Sequence, residues 1–203
     1  KTKVSKIKNL QEDIALSLAA NGIRIIAPIP GKGSIGIEVS NKKNNPVSFR
    51  KILESEEFQK TNFDLPVVIG KSIENENFIF DLSKMPHLLI AGSTGQGKSV
   101  GLNIILCSLL YKKRPDQLKF IMIDPKKVEL SVYEKLENSF LMKSNNCKDF
   151  IITNTNDAFD TLKFLCEEMD NRYDLLKKNY CRNIKEYNTK SENILEYIVV
   201  VID

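Results

Sequence analysis

A glycine-rich segment constrains the fold of this chain more than any other feature of its sequence. It spans residues 92–99, reads Gly-Ser-Thr-Gly-Gln-Gly-Lys-Ser, and follows the pattern G-x-x-x-x-G-K-[ST]. An apolar run, 87–91, precedes it, and a segment with helical periodicity, 98–111, follows it. A strand, a glycine-rich turn and a helix in this order predict a phosphate-binding loop. Chance produces the pattern in under about 1% of chains of this length.

The residue types of the loop suit the binding of a nucleotide triphosphate. Three glycines let the backbone curl with its N–H groups pointing inward, and the start of the following helix adds free amides and a positive dipole end. Lys98 is predicted to reach the β- and γ-phosphates, and the Ser99 hydroxyl to ligate Mg²⁺. The predicted nucleotide-binding residues are Gly92, Ser93, Thr94, Gly95, Gln96, Gly97, Lys98, Ser99 and Val100.

Two apolar runs end in an aspartate that could hold the metal ion. Asp124 closes the run 118–124, and Asp203 closes the run 197–203. The second run is the more hydrophobic, and this strand character, together with the family resemblance described below, favours Asp203 as the metal ligand beside Ser99. Lys98 and Asp203 are accordingly the predicted catalytic residues. Asp124 remains open as a helper at the same sheet edge, or as the residue that ends its strand in a turn with Pro125.

The order of periodic segments predicts two domains. A helix over 10–20, short β-type runs at 23–28 and 34–39, and a helix over 48–58 capped by Ser48 predict a small α+β domain at residues 1–62. In residues 63–203 strands alternate with helices, which predicts an α/β fold. The predicted class is a P-loop NTPase of the RecA-like type, with a mostly parallel sheet between helices, preceded by the small α+β domain.

Within the larger domain the patterns place individual elements. Strands are predicted at 78–82, at 87–91 as a fully buried strand, at 118–124, and at 197–203 as an interior parallel strand. A long amphipathic helix is predicted over 157–179, with Asn156 or Asp157 as its cap. Parallel α/β sheets place their chemistry at the carboxyl ends of the strands. Because Asp203 lies at such an end, we expect these residues to be part of a longer polypeptide.

Composition excludes several classes of protein. A chain of 203 residues with 42% hydrophobic residues can bury a core without disulfides or metals. A net charge of +4 is too small a surplus to indicate a nucleic-acid binder by itself. Among the four cysteines, Cys107 and Cys166 lie in apolar helical patterns and are predicted to be buried, and reduced cysteines indicate a cytosolic environment. No apolar run approaches the roughly 18 residues of a membrane span.

Several blocks of sequence together resemble the FtsK/SpoIIIE family of DNA translocases. The resemblance covers essentially the whole chain, and the blocks around the loop make it more specific than the loop alone. The blocks that carry it are 84–92, the loop itself, 99–103, 120–126, 128–133, 168–173 and 182–188, with 10–20 and 25–32 upstream. The upstream part resembles the small α domain that precedes the motor core in that family.

The resemblance implies a hexameric ring around double-stranded DNA, driven by ATP hydrolysis with Mg²⁺, that pumps DNA during chromosome segregation and cell division. It implies two stacked rings, one from each domain, and we expect their relative movement about a hinge near residues 62–65. It implies a cytoplasmic motor region in a protein anchored in the cell membrane at the division septum. The catalytic base, the arginine finger, the DNA-orienting domain and the membrane anchor would all lie outside these residues.

Two other functions remain as alternatives. A related ATPase that drives protein secretion would share the motor, but the resemblance to the α domain argues against it. A small-molecule P-loop kinase would need lid arginines near the loop, and no arginine cluster occurs there. The ATPase rate with and without long duplex DNA separates the translocase from both.

Overall fold

The chain forms two compact units, Lys1–Val47 and Ser48–Asp203, in a computed structural model. The structure describes residues 3–20, 22–29, 31–41, 45–72, 74–93, 95–144 and 147–203. Among these residues, no helix is both long enough and apolar enough to cross a bilayer.

The first unit is a small α+β arrangement, as the sequence predicts. Its helices are α1 (Val4–Asn9) and α2 (Gln11–Ser17), so the predicted helix over 10–20 is realised in a shorter form. Strands β1 (Ile23–Ile26) and β2 (Gly36–Val39) pair in antiparallel fashion. The Gln11 side-chain amide donates a hydrogen bond of 2.8 Å to the backbone carbonyl of Ile23, and this bond links α2 to the start of β1.

The second unit begins with two short helices that sequence reasoning placed in the first. These are α3 (Phe49–Leu53) and α4 (Glu56–Gln59), and Ser48 caps α3 as predicted by accepting from the Lys51 amide. Ile52 and Phe58 are fully buried against Val68 of the following strand. The units therefore divide after Val47 and not after the predicted boundary at Asn62, because burial of apolar side chains decides which unit a helix joins.

Strands β3 (Pro66–Lys71) and β4 (Asn77–Asp81) form an antiparallel pair that fixes the segment before them. The buried carboxylate of Asp81 accepts from the backbone amides of Asp64 (3.2 Å) and Leu65 (2.9 Å). Leu65 is itself buried. The expected hinge at residues 62–65 therefore lies within the second unit, and two hydrogen bonds from backbone amides fasten it to β4.

Asp81 makes the stability of this unit dependent on pH. Burial alone would raise its pKa, but hydrogen bonds from Leu65, Ser83 and Asp64 outweigh burial and leave the pKa below the ordinary value of 3.8. Because the folded-state pKa is depressed, this stabilisation is present in full above the ordinary pKa. It is lost as the pH falls through the lower, folded-state value.

We expect Asp81→Asn to lower the free energy of unfolding by a constant amount above about pH 5, and by less below about pH 4. Urea unfolding of the wild type and the variant across a pH series measures the difference. The exposed Asp160 offers a matched control, Asp160→Asn, with little effect expected at any pH. A difference for Asp81→Asn that stays constant into strong acid would contradict this account.

The remainder of the second unit is a parallel α/β layer built as predicted from alternating helices and strands. Helix α5 (Lys98–Lys112) is followed by β5 (Leu118–Ile123), β6 (Ile151–Ile152), α6 (Thr155–Lys178), α7 (Ile184–Lys190) and β7 (Tyr197–Ile202). The strands form a parallel sheet in the order β6-β5-β7. Leu106 and Leu109 of α5 and Phe120 of β5 are fully buried in its main core. This parallel sheet flanked by helices is the predicted RecA-like P-loop fold.

Two strand predictions differ from the structure. The run 87–91 forms no strand with any described residue, and Leu88 and Leu89 are exposed. Strand β7 pairs with β5 on one side and is an edge strand of the described sheet, which leaves Ile202 61% exposed. An apolar run without polar alternation is typical of a parallel strand that is covered on both faces, but the described residues leave Leu89 and Ile202 exposed.

Helix α6 and the cysteines also differ from expectation. The cap of α6 is Asn154, whose side chain accepts from the Asp157 amide, so the helix begins before the predicted cap. Its apolar face leaves Met169 and Tyr173 exposed. Cys107 and Cys166 are exposed, contrary to prediction, whereas Cys147 and Cys181 are buried. Helical periodicity identifies a face, but the packing of neighbouring elements decides whether that face is covered.

Candidate nucleotide-binding site

The glycine-rich loop enters α5 through backbone conformations that favour glycine. Gly95 has a φ of 77° and Gly97, the N-cap of α5, a φ of 92°, and both values lie in the left-handed region. The helix begins at Lys98, so the amides of its first turn have no partner within the helix and are available to an anion. Thr94, one of the predicted binding residues, lies outside the described residues.

The register of the parallel sheet brings the two candidate aspartates to the same edge. Ile123 of β5 lies opposite Ile202 of β7, so the residues that follow them, Asp124 and Asp203, are neighbours. The Asp203 amide donates to the carbonyl of Ile123 at 3.1 Å, which continues the ladder by one step. Both aspartates therefore lie at one edge of the sheet.

Asp203 contacts the phosphate-binding loop directly. Its buried side chain, with an exposed fraction of 0%, accepts a hydrogen bond from Lys98 Nζ and a longer one of 3.3 Å from Lys126 Nζ. The hydrogen bond from Lys98 lowers the pKa of Asp203, and the same bond raises the pKa of Lys98. An ammonium from the loop and a carboxylate from the end of β7 thus form an ion pair at the sheet edge.

Asp124 is engaged differently. Its fully buried carboxylate accepts from three backbone amides, those of Lys127 (2.9 Å), Val128 (3.0 Å) and Leu130 (3.0 Å). These bonds fold the segment after β5 into a tight loop. A carboxylate that already accepts hydrogen bonds from three amides is a poor candidate for a metal ligand, whereas the partners of Asp203 are two lysine side chains. The contacts therefore support the choice of Asp203 over Asp124.

Sequence reasoning missed Glu129. Its Oε1 atom accepts from the Ser99 hydroxyl at 2.7 Å, and its charge is one of those that raise the pKa of Lys98, after the larger effect of Asp203. Glu129 belongs to the loop shaped by Asp124, so only the folding of that loop brings it to Ser99. The block 128–133 contributes to the family resemblance, but a single glutamate near a strand end carries no pattern that assigns it a contact with Ser99.

The donors at this edge fit a nucleotide with Mg²⁺. Mg²⁺ prefers oxygen ligands and is usually bound through one or two protein groups together with phosphate oxygens and water. The Ser99 hydroxyl and the Asp203 carboxylate supply oxygen ligands: Ser99 follows Lys98 in the chain, and Asp203 contacts the Lys98 ammonium, which suits phosphate oxygens. The start of α5 supplies the amides that complete an anion site.

A glycine-rich loop that leads into a helix, beside a parallel sheet with a carboxylate at the end of a strand, defines the class of P-loop NTPases. Residues 48–202 match the FtsK/SpoIIIE family, and residues 1–41 match the FtsK alpha domain. The chain belongs to the FtsK/SpoIIIE family. The two matched ranges fall within the two structural units.

Curated relatives agree with this assignment. The chain is 48% identical over 205 residues to the DNA translocase FtsK of Chlorobaculum tepidum, and 46% identical over 211 residues to that of Streptococcus pneumoniae. It is 44% identical over 205 residues to the DNA translocase FtsK of Helicobacter pylori. Each comparison covers 99% of this chain but only 26%, 26% and 23% of the respective relative. The chain thus spans about a quarter of the length of these relatives.

A solved structure supports the fold. The pCW3 conjugation coupling protein TcpA, solved as a monomer form with ATPγS, is similar with a TM-score of 0.63 at 30% identity. The similarity covers 100% of this chain and 52% of that protein.

Proposed function

We propose that this chain is the ATP-binding motor segment of a double-stranded DNA translocase that pumps DNA during chromosome segregation and cell division. The observation that carries the proposal is the meeting of Lys98, Ser99 and Asp203 at one edge of the parallel sheet, in a chain of the FtsK/SpoIIIE family. Its relatives in Chlorobaculum tepidum and Streptococcus pneumoniae are DNA translocases, which supports DNA as the substrate that this site would drive.

The ion pair between Lys98 and Asp203 defines the proposed role of each residue in nucleotide binding. Loop amides and Lys98 would bind the phosphate oxygens, and Lys98 would exchange its contact with Asp203 for one with phosphate. That exchange frees the Asp203 carboxylate to hold Mg²⁺ together with Ser99. When bound, Mg²⁺ neutralises charge that develops on the phosphates during hydrolysis. Lys126 places a second positive charge beside Asp203.

The assembly proposed for the complete protein is a homo-hexameric ring with duplex DNA as its substrate. The motor region would lie in the cytoplasm, in a protein anchored in the cell membrane at the division septum by a part outside these residues. DNA contacts made through the phosphate backbone are independent of sequence and weaken steeply as salt displaces them. DNA binding by the ring is therefore expected to depend strongly on ionic strength.

The test is the ATPase rate of the complete protein with and without long duplex DNA. We expect a several-fold stimulation that declines as salt is raised from about 50 to about 200 mM, because phosphate contacts release counterions. Basal hydrolysis measured without DNA at both salt concentrations controls for direct effects of salt on the site. A rate indifferent to duplex DNA at low salt contradicts the translocase and favours an ATPase that drives protein secretion.

A further inference from the structure

The Ser99 hydroxyl has a fixed acceptor that the proposed function does not use. Its hydrogen bond to Glu129 is 2.7 Å long and joins the first turn of α5 to the loop that follows β5. A serine that ligates a cation does so through an oxygen lone pair, and its hydroxyl proton then needs an acceptor that points away from the cation. Glu129 is placed to be that acceptor without giving up its contact.

The loop holds Glu129 firmly in this position. On one side of Glu129 the Asp124 carboxylate accepts from the Val128 amide, and on the other it accepts from the amide of Leu130, whose side chain is fully buried. Bonds on both sides of the residue restrict the backbone from which its side chain reaches Ser99. Glu129 is therefore preorganised and does not depend on a mobile loop.

A second contact fixes the loop to the same helix. The Tyr133 hydroxyl donates to Asn103 Oδ1 at 2.7 Å. Asn103 lies one helical turn after Ser99, and residues four apart lie on the same face of a helix. One face of α5 thus makes two hydrogen bonds to the segment 129–133, one donated by Ser99 and one accepted by Asn103. These bonds hold the segment beside the phosphate-binding loop.

The charge of Glu129 has an electrostatic cost at this place. A carboxylate beside a site for anionic phosphates repels them unless a cation lies between. Outer partners that accept a hydrogen bond from a metal ligand orient that ligand and make it more basic, and their loss typically weakens metal affinity by roughly 10- to 100-fold. Tighter binding of the metal ion would offset the repulsion between the Glu129 carboxylate and the phosphates.

We propose that Glu129 is a positioning residue for the metal site: it accepts the hydroxyl proton of Ser99 and thereby directs the serine oxygen to Mg²⁺. The inference rests on the proposed nucleotide site. It assigns to Glu129 an effect on the Mg²⁺ dependence of nucleotide binding, with no direct contact to the nucleotide.

The test is a titration of Mg²⁺ against binding of a fluorescent ATP analogue by the complete protein. We expect Glu129→Ala to raise the Mg²⁺ concentration for half-maximal binding by roughly 10- to 100-fold. In EDTA the same variant should bind the analogue at least as tightly as the wild type, because a repulsive charge has been removed. The EDTA measurement also shows whether the variant is folded.

Two further variants separate positioning from other roles. Glu129→Gln keeps an oxygen that accepts the Ser99 proton, so its midpoint should stay close to that of the wild type. In a Ser99→Ala background, Glu129→Ala should cause no further shift, because Glu129 acts through the serine. The exposed Glu134 of the adjacent segment provides the matched control, Glu134→Ala, with an unchanged midpoint.

Distinct results overturn the two proposals. A wild-type protein that fails to bind the analogue at any Mg²⁺ concentration overturns the nucleotide site itself. Binding by the wild type with an unchanged midpoint in Glu129→Ala overturns only the positioning role. A shift in Glu129→Gln as large as that in Glu129→Ala, or a further shift in the Ser99→Ala background, also overturns it, because Glu129 would then act through its charge.

Discussion

Replacement of Lys98 by alanine is expected to reduce DNA-stimulated ATP hydrolysis by at least roughly 100-fold, the scale seen when one donor to a developing charge is removed. Lys98 is the ammonium group of the phosphate-binding loop, and its contact with Asp203 places it at the carboxyl end of β7. Alanine removes both the charge and the reach to the phosphates, whereas the loop amides remain. Some nucleotide binding should therefore persist while hydrolysis is lost.

The fold of Lys98→Ala should be intact, because Lys98 is partly exposed and Lys126 continues to pair with Asp203. Steady-state ATPase assays with duplex DNA measure the effect, and urea unfolding checks the fold. Lys135→Ala, at an exposed lysine of the segment 131–136, is the control and should hydrolyse ATP at the wild-type rate. Wild-type hydrolysis by Lys98→Ala would contradict the phosphate role assigned to this lysine.

Replacement of Asp203 by asparagine is expected to lower hydrolysis by roughly 100-fold, because charge stabilisation at the reacting phosphates depends on a correctly held cation. Asparagine keeps the size of the buried side chain and removes its negative charge. Mg²⁺ should consequently enhance nucleotide binding far less than in the wild type. Parallel titrations of nucleotide in Mg²⁺ and in EDTA measure this loss.

Asp124→Asn is the matched comparison at the neighbouring strand end. The Asp124 carboxylate accepts hydrogen bonds from three backbone amides, so the change should chiefly lower the free energy of unfolding, by about 1–3 kcal/mol. Urea unfolding measures this loss. If Asp124→Asn weakened the Mg²⁺ dependence of binding more than Asp203→Asn did, the metal role assigned to Asp203 would be contradicted.

The local elements of the motor fold follow from sequence because short-range chemistry dictates them. The glycine pattern at 92–99 requires backbone conformations that Gly95 and Gly97 adopt, and the periodicity after it produces α5. The apolar runs that end in Asp124 and Asp203 become parallel strands. Because the carboxyl ends of parallel strands share an edge, the approach of the two aspartates to the loop could also be predicted.

Burial could not be read from the same patterns, because it depends on which elements pack against each other. The run 87–91 is as apolar as β5, yet Leu89 is exposed and no described strand pairs with it. Cys107 follows an apolar periodicity in α5 and still faces outward. Likewise Ile52 and Phe58 join the second unit because Val68 covers them, which moves the division of the chain to Val47.

The sequence alone determined the class of this protein and predicted the phosphate-binding residues, since a loop at the start of a helix is a local structure. Only the tertiary structure decided which side chains of the site contact each other. In that structure Asp203 forms an ion pair with Lys98, whereas Asp124 accepts hydrogen bonds from backbone amides. The tertiary structure also places Glu129 in contact with Ser99. Those contacts join residues far apart in the chain, and no local pattern specifies them because the packing of the sheet and the loop creates them.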